Sequence, residues 1–176
     1  QLARFTGRLF LPRPASRRNL TFYDNATSLW YLQTDSVNLV DDSARGRDSV
    51  RLHSKATFTH GVFIMEVEHI PAGCATWPAW WLTNDPWPSH GEIDVIEQIH
   101  GVGQNNFVGH TEGRCDAGAP SDSFQGNWKP SYPWITNPST DCTLSSNPQG
   151  CAADLPPGTF GGPFNRQGGG AFALVW

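Results

Sequence analysis

The sequence is poor in charged residues and contains no long apolar run. Charged side chains make up 16% of its 176 residues, against about 25% in an average soluble domain. This composition excludes a coiled coil and a highly charged disordered tail. No apolar stretch approaches the roughly 20 residues of a membrane-spanning helix, and no signal-peptide pattern is present. We therefore expect no membrane segment.

The chain also lacks the basic character of a nucleic-acid-binding domain. Its formal net charge is −4 and its pI is near 5.8. Residues 1–51 carry eight Arg and five Asp, whereas residues 52–176 carry four basic and eleven acidic residues. Nucleic-acid recognition needs basic residues clustered on one face, so the N-terminal excess is interpreted as a solvated surface. The length favours one domain over residues 1–176, and we expect a monomer that binds no nucleic acid.

The four cysteines form no CxxC pair, so no zinc site or other metal site is predicted. An even number in a turn-rich chain favours two disulfides. Of the three possible connectivities we favour Cys142–Cys151, because the loop between these residues is short and rich in turn formers, together with Cys74–Cys115. Two glycosylation sequons begin at Asn19 and Asn25. These features indicate an oxidising, extracellular route, with the protein secreted or held in the cell wall.

Glycine and proline are abundant, at 18 and 14 residues, so turns should be many and long helices few. Short β-prone or alternating segments predict strands at Ser49–His53, Gly61–Ile70, Pro78–Leu82, Glu92–Ile99, Asn106–Thr111 and Phe172–Trp176. Many short strands separated by turns are typical of an all-β sandwich or jelly roll. Residues 113–170 show no periodicity and are interpreted as a long loop, pinned by the Cys142–Cys151 disulfide.

The segment Gly91–Glu97 carries three carboxylates on one predicted strand. Side chains alternate with period two, so Glu92 and Asp94 share a face. Glu97 lies at an odd offset from Glu92 and would enter the apolar core, where a bare carboxylate costs several kcal/mol. One β-bulge near Val95-Ile96 would return Glu97 to the acidic face.

With this bulge, the Cα atoms of Glu92 and Glu97 would be about 13 Å apart, because four strand steps of roughly 3.3 Å separate them. Side chains that lean together would bring the carboxyls to about 5–6 Å, which suits a retaining glycosidase rather than an inverting one. Asp94 lies between them, and three neighbouring acids cannot all ionise easily, so one pKa should rise. The alternative interpretation is a solvent-facing acidic strand.

Four tryptophans lie within the fifteen residues that precede Glu92, namely Trp77, Trp80, Trp81 and Trp87. One or two of them are expected in the core. So many indoles beside three carboxylates otherwise suit stacking platforms for sugar rings, whose C–H faces pack on aromatic surfaces. The aromatic run therefore favours a carbohydrate substrate over a bare acidic edge.

The run Thr76–Leu82, the pair Trp87-Pro88 and the segment Gly91–Glu97 together resemble the catalytic strand of glycoside hydrolase family 16 in its bulged ExDxxE form. They are most similar to fungal laminarinase-type endo-1,3(4)-β-glucanases. Weaker matches occur at Gly46–Arg51, Asn105, Gly109–Thr111, and Phe164-Asn165 with Gly168–Gly170. The resemblance covers residues 30–176.

The resemblance implies a concanavalin-like β-jelly-roll sandwich with a substrate cleft on its concave face. It implies a retaining hydrolase of β-1,3- or mixed β-1,3/1,4-glucan. No motif in the sequence indicates a cofactor, so none is expected. Glu92 would be the nucleophile, Glu97 the general acid and then the base, and Asp94 the group that orients Glu92. The resemblance assigns substrate-binding positions to five further residues: Trp77, Trp87, His110, Asn105 and Arg51. His110 would also hydrogen-bond within the acid cluster.

The chain departs from the family pattern at its C-terminus. Relatives usually carry a Glu-Trp-Thr continuation where this chain has Val175-Trp176, so the jelly roll is expected to be incomplete there. Two alternative functions stay open. One is a wall-remodelling transglycosylase that uses the same acids, which the bulged motif disfavours. The other is a non-catalytic β-glucan-binding module, which the three intact acids disfavour.

Overall fold

The computed structural model describes residues 2–3, 20–118, 125–130 and 139–176. Within them lie ten strands and one short helix: β1 (Leu2–Ala3), β2 (Thr21–Asp24), β3 (Leu29–Leu32), β4 (Val62–Val67), β5 (Ala79–Thr83), β6 (Glu92–Glu97), β7 (Asn106–His110), β8 (Asn127–Trp128), β9 (Cys151–Asp154), α1 (Gly161–Arg166) and β10 (Gly170–Val175). The predicted all-β character is confirmed. Within the described ranges, no helix has the length and apolarity needed to cross a membrane.

The chain divides into two compact units, residues 1–71 with 168–176, and residues 72–167. The first unit contains the antiparallel sheet β1-β3-β2 and the antiparallel pair β10-β4. In β4, Phe63, Met65 and Val67 are less exposed than their neighbours, as the alternation in the sequence predicts. The expectation of one domain over the whole chain stays a prediction.

The second unit contains a five-stranded antiparallel sheet in the order β5-β6-β7-β9-β8. Its acidic strand β6 lies between β5 and β7, so both of its edges are hydrogen-bonded. The apolar core of this unit includes Val95, Ile96, Val108, Ala152, Ala153, Phe160 and Phe164. Because β6 is hydrogen-bonded to a strand on each side, its backbone is a fixed platform for the three carboxylates.

Five of the six predicted strands are confirmed, as β4, β5, β6, β7 and β10. The prediction of a strand at Ser49–His53 is wrong. Exposure alternates along this segment, but it forms no ladder in the structure, and a strand needs a hydrogen-bonded neighbour as well as alternation. The interpretation of 113–170 as one long loop is also wrong where β8, β9 and α1 form; residues 119–124 and 131–138 lie outside the described residues.

The predicted disulfide Cys142–Cys151 is present, but the predicted Cys74–Cys115 pairing is wrong, since both of these cysteines are free and exposed. Cys74 precedes β5, whose first residue pairs with the Glu97 end of β6. Cys115 follows β7, whose last residue pairs with the Glu92 end. A six-residue strand extends about 17 Å, whereas disulfide-bonded Cα atoms lie within about 7 Å.

Of the two predicted glycosylation sequons, the structure describes one. Asn25 is exposed in the turn between β2 and β3, where a glycan would meet solvent. Asn19 lies outside the described residues.

Candidate active site

The acidic strand β6 contains one extra residue relative to its neighbours. Asp94 pairs with Val108 and Glu97 pairs with Asn106 on β7, so three steps along β6 match two along β7. The pairing with β5 skips the same residue, Val95. This confirms the predicted bulge, which reverses the side-chain alternation after Val95.

The bulge decides where the carboxylates and the apolar side chains go. Val95 and Ile96 are 7% and 3% exposed and lie in the core, although they are adjacent in sequence. Glu92 and Glu97 are both half-buried rather than enclosed in apolar surroundings. An unbulged strand would have exchanged the environments of Ile96 and Glu97.

Each of the two glutamates accepts a hydrogen bond from an exposed tryptophan. Trp87 Nε1 donates to Glu92 Oε2 at 2.5 Å, and Trp77 Nε1 donates to Glu97 Oε1 at 2.7 Å. Trp87 is 53% exposed and Trp77 is 70% exposed. Their rings are therefore open to a ligand while their N–H groups fix the carboxylates.

Asp94 lies between the glutamates and is 1% exposed. Apart from the shared contact with Glu92, neither of its oxygens accepts a hydrogen bond from another group in the described ranges. Burial, followed by the charges of Glu97 and Glu92 and a side-chain hydrogen bond with Glu92, raises the pKa of Asp94 to about 8. The sequence predicts that one of the three pKa values rises, and the structure places that rise on Asp94. At neutral pH its carboxyl group holds a proton that it can share with Glu92.

His110 closes the cluster from the neighbouring strand. It stands directly opposite Glu92 in the β6–β7 register, and its Nε2 is 3.6 Å from Asp94 Oδ2. Its Nδ1 is buried and has no hydrogen-bond partner in the described part of the chain. Gly150 lies behind this nitrogen, so closely that an added Cβ would be 2.6 Å from it. The added Cβ would be closer still to the backbone oxygen of Gly109, so a side chain at position 150 would disturb both the imidazole and the strand that carries it.

Asn105 is not placed as a sugar contact. Its side chain is 0% exposed, and its amide bonds to the backbone of the bulge, donating to Val95 O at 2.7 Å and accepting from Glu97 N at 3.1 Å. Sequence reasoning missed this role, because the amide's partners are set by the fold. Arg51 is exposed in the first unit, and its assignment to substrate stays a prediction.

Among the residues that the structure describes, one group of side chains could hold a cation. Glu92, Asp94 and His110 each offer one ligand atom, and these atoms lie within 4.8 Å of one another. Carboxylate oxygens with an imidazole nitrogen suit several divalent ions. The raised pKa of Asp94 means that protonation of this carboxyl competes with the binding of such an ion at neutral pH. The family resemblance already implies that His110 contacts the acid cluster, but spacing along the chain alone does not indicate a metal-ligand set.

Comparisons with known proteins identify the family of this chain. The sequence profile of the XgeA-like, catalytic GH16 domain matches residues 11–176. A probable endo-1,3(4)-β-glucanase of Aspergillus fumigatus is 35% identical over 148 residues, which are 84% of this chain and 21% of that protein. The chain thus spans about a fifth of the length of this relative.

Two solved structures are similar over nearly the whole chain. A family 16 protein described as an elongating β-1,3-glucosyltransferase superposes with a TM-score of 0.83 at 34% identity, covering 96% of this chain and 53% of that one. Laminarinase 16A from Phanerochaete chrysosporium, solved with β-glucans in donor and acceptor sites, superposes with a TM-score of 0.80 at 29% identity, covering 95% and 53%.

These neighbours confirm the predicted β-jelly-roll fold. The profile match covers nearly every residue, and the carboxylates, the bulge and the tryptophans lie within it. On these grounds the chain belongs to glycoside hydrolase family 16, with an XgeA-like catalytic domain.

Proposed function

We propose that this domain hydrolyses β-1,3- or mixed β-1,3/1,4-glucan with retention of anomeric configuration. The observation that carries the proposal is the bulge at Val95, which puts Glu92 and Glu97 on one face with Asp94 between them. A retaining mechanism needs two carboxyl groups roughly 5–5.5 Å apart on the two sides of the scissile bond. Glutamates on either side of a one-residue bulge can meet that spacing by leaning together.

In the first step Glu92 attacks the anomeric carbon and forms a glycosyl ester. Its Oε2 accepts the hydrogen bond from Trp87, so Oε1 is the oxygen that attacks. Glu97 gives its proton to the departing glycosidic oxygen. Its Oε1 is held by Trp77, which leaves Oε2 to carry that proton.

In the second step Glu97, now a carboxylate, takes a proton from water as the water attacks the anomeric carbon. The ester bond to Glu92 breaks and its electron pair returns to the carboxylate. Two inversions give net retention. Asp94 keeps its proton at neutral pH and shares it with Glu92, which stabilises the negative charge that appears when the ester breaks.

The exposed faces of Trp77 and Trp87 support a sugar substrate. Both rings reach solvent, and both are tied by their N–H groups to the reacting carboxylates. A glucose ring stacked on either indole would therefore be placed against Glu92 or Glu97. This arrangement links substrate binding to the position of the catalytic groups.

The test compares wild type with Glu92→Gln on laminarin, measuring released reducing ends and, separately, laminarin binding. We expect wild type to release reducing ends and Glu92→Gln to bind without turnover. The matched control is Glu68→Gln, which removes an exposed acid of the first unit and should keep wild-type activity. Turnover by Glu92→Gln would refute the nucleophile assignment, and binding without release by folded wild type would favour the non-catalytic module.

Transglycosylation is a second candidate, favoured by the similarity to a β-1,3-glucosyltransferase. In that reaction a sugar hydroxyl replaces water in the second step, with the same role for Glu97. Incubation with a laminari-oligosaccharide and a fluorescently labelled acceptor separates the two outcomes. Labelled products longer than the acceptor indicate transfer, whereas shortened unlabelled products alone indicate hydrolysis.

We also propose that the protein is secreted or held in the cell wall and acts as a monomer. The disulfide Cys142–Cys151 and the exposed sequon at Asn25 support an oxidising route. Detection of the protein in culture medium, with a mass decrease after deglycosylation, would test the location. Light scattering of the purified protein would test the oligomeric state.

A further inference from the structure

We infer that Asn105 is a positioning residue that sets the place of the general acid Glu97 by holding the bulge of β6. The inference rests on the proposed function for its catalytic consequence, but its structural part stands separately. Asn105 has no exposed surface, so it acts through the backbone of the bulge and not by contact with a sugar.

The side-chain amide of Asn105 bonds to backbone groups that the bulge leaves outside the strand ladder. An extra residue in one strand leaves backbone groups outside the regular ladder, and buried backbone groups require partners. Val95 has no register partner in either neighbouring strand. Asn105 Nδ2 donates to the Val95 carbonyl at 2.7 Å, and Asn105 Oδ1 accepts from the Glu97 N–H at 3.1 Å. One amide therefore holds both sides of the bulge.

The chemistry of this contact selects an amide side chain. An amide has a carbonyl acceptor and an NH₂ donor, whereas a carboxylate only accepts and a hydroxyl offers a single hydrogen. An Asp at position 105 would still accept from Glu97 N–H but would face the Val95 carbonyl with another oxygen. The NH₂ group and the carbonyl oxygen of Asn105 are thus both used, and they bond to backbone groups on opposite sides of the bulge.

Asn105 is itself held from behind by the loop that precedes α1. Its backbone N–H donates to Thr159 Oγ1 at 2.9 Å, and the Thr159 hydroxyl donates to Pro156 O at 2.7 Å. Leu155 N donates to Asn105 O at 2.8 Å. Loop 155–159 therefore fixes the backbone of Asn105, and the side chain of Asn105 fixes the backbone of Glu97.

Position matters more for Glu97 than for a structural residue. A misplacement of a catalytic group by about 1 Å can lower the rate about 100-fold. Asn105 accepts a hydrogen bond from the backbone N–H of Glu97 itself, so its loss would directly affect the position of this residue. A displaced Glu97 would slow the cleavage of substrates whose leaving oxygen must be protonated. Cleavage of substrates whose leaving group departs without a proton should be almost unaffected.

The catalytic test compares kcat/KM on laminarin with kcat/KM on a dinitrophenyl β-laminaribioside, whose leaving group needs no protonation. For Asn105→Ala and Asn105→Asp we expect a loss of about 100-fold on laminarin and of less than about 3-fold on the activated substrate, since general-acid catalysis is absent from its first step. Thr159→Val should give the same pattern with a smaller loss, and Thr159→Ser should stay near wild type.

The matched control is Asn147→Ala. Asn147 is a buried asparagine of the same unit, 1% exposed, whose amide donates to the Asp141 and Gly150 carbonyls and not to the bulge. Its loss should lower stability and change both substrates by equal factors. Equal losses on both substrates for Asn105→Asp would overturn the inference, because a merely structural role predicts them.

A second readout keeps the inference separate from the proposed function. Amide hydrogen exchange at Glu97 should be faster in Asn105→Ala than in wild type, beyond any change in the β7 amides, and unchanged relative to β7 in Asn147→Ala. Unaltered Glu97 exchange in Asn105→Ala would refute the positioning role. A wild-type protein that cleaves neither substrate would refute the proposed function alone, while the exchange result would still decide the role of Asn105.

Discussion

The indole N–H of Trp87 donates to Oε2 of Glu92 at 2.5 Å, so a hydrogen bond joins an exposed aromatic ring to the proposed nucleophile. Trp77 and Glu97 are related in the same way at 2.7 Å. Each tryptophan thus has two tasks, a face for the sugar and a donor for the carboxylate. The two tasks can be separated by substitution.

Replacement of Trp87 by Phe keeps an aromatic face and removes the donor. We expect kcat to fall about tenfold or more, since a hydrogen bond to a charged group contributes about 1.5–3 kcal/mol, while KM changes little. Trp87→Ala should lower kcat similarly and also raise KM. Steady-state kinetics on laminari-oligosaccharides measure both values. A rise in KM without loss of kcat in Trp87→Phe would show that the hydrogen bond plays no part in catalysis.

Asp94 should make stability depend on pH. Its pKa is about 8 when folded and about 3.9 when unfolded, so between these values the folded state holds a proton that the unfolded state lacks. Stability from this proton is complete below pH 4 and is lost as the pH rises towards 8. Wild type should therefore lose stability relative to Asp94→Asn between pH 5 and 8. Urea unfolding of both proteins over this pH range measures the difference in the free energy of unfolding. The same pH dependence of this free energy in both proteins would contradict the prediction.

Gly150 should tolerate no side chain. It has φ of +70°, and an added Cβ would clash with the backbone oxygen of Gly109 and lie 2.6 Å from His110 Nδ1. We expect Gly150→Ala to lower both the unfolding temperature and kcat. Gly168→Ala is the control, because Gly168 has φ of +89° but nothing within 4 Å of an added Cβ. That change should cost only about 1–2 kcal/mol of backbone strain and leave kcat alone. If both variants lowered the unfolding temperature and kcat equally, the result would contradict a specific contact between position 150 and His110.

The free cysteines can be counted directly. Cys74 and Cys115 are exposed thiols, whereas Cys142 and Cys151 are bonded. Iodoacetamide should therefore label two sites per native chain, and four after reduction and unfolding, as read by intact mass. A native chain that takes up no label would restore the Cys74–Cys115 disulfide that the sequence suggests.

The bulge of β6 was predictable, because two local requirements conflict in its sequence. Strict alternation would send Glu97 into the core and Ile96 out of it, and one inserted residue resolves both problems. The same kind of reasoning finds β4 from its alternation. In these places the signal lies within a few adjacent residues.

Other features depend on partners that are distant along the chain. Ser49–His53 alternates like a strand, yet alternation does not supply a neighbour. The short strand β9 consists mostly of small residues, and helix α1 begins with two glycines and a proline. Local residue preferences therefore predict neither the strand nor the helix. The family resemblance assigns Asn105 to substrate binding, and only its hydrogen bonds in the folded chain show that its amide lies against the backbone of the bulge.

The stereochemistry of the first product tests the central claim most directly. Proton NMR of a laminari-oligosaccharide digest distinguishes the two anomers before mutarotation mixes them. If Glu92 and Glu97 act together across the bulge as nucleophile and acid, the β-anomer should appear first and the α-anomer should grow in later. Initial appearance of the α-anomer would mean a single inversion, with water between more widely spaced carboxyls, and would contradict the proposed role of Glu92.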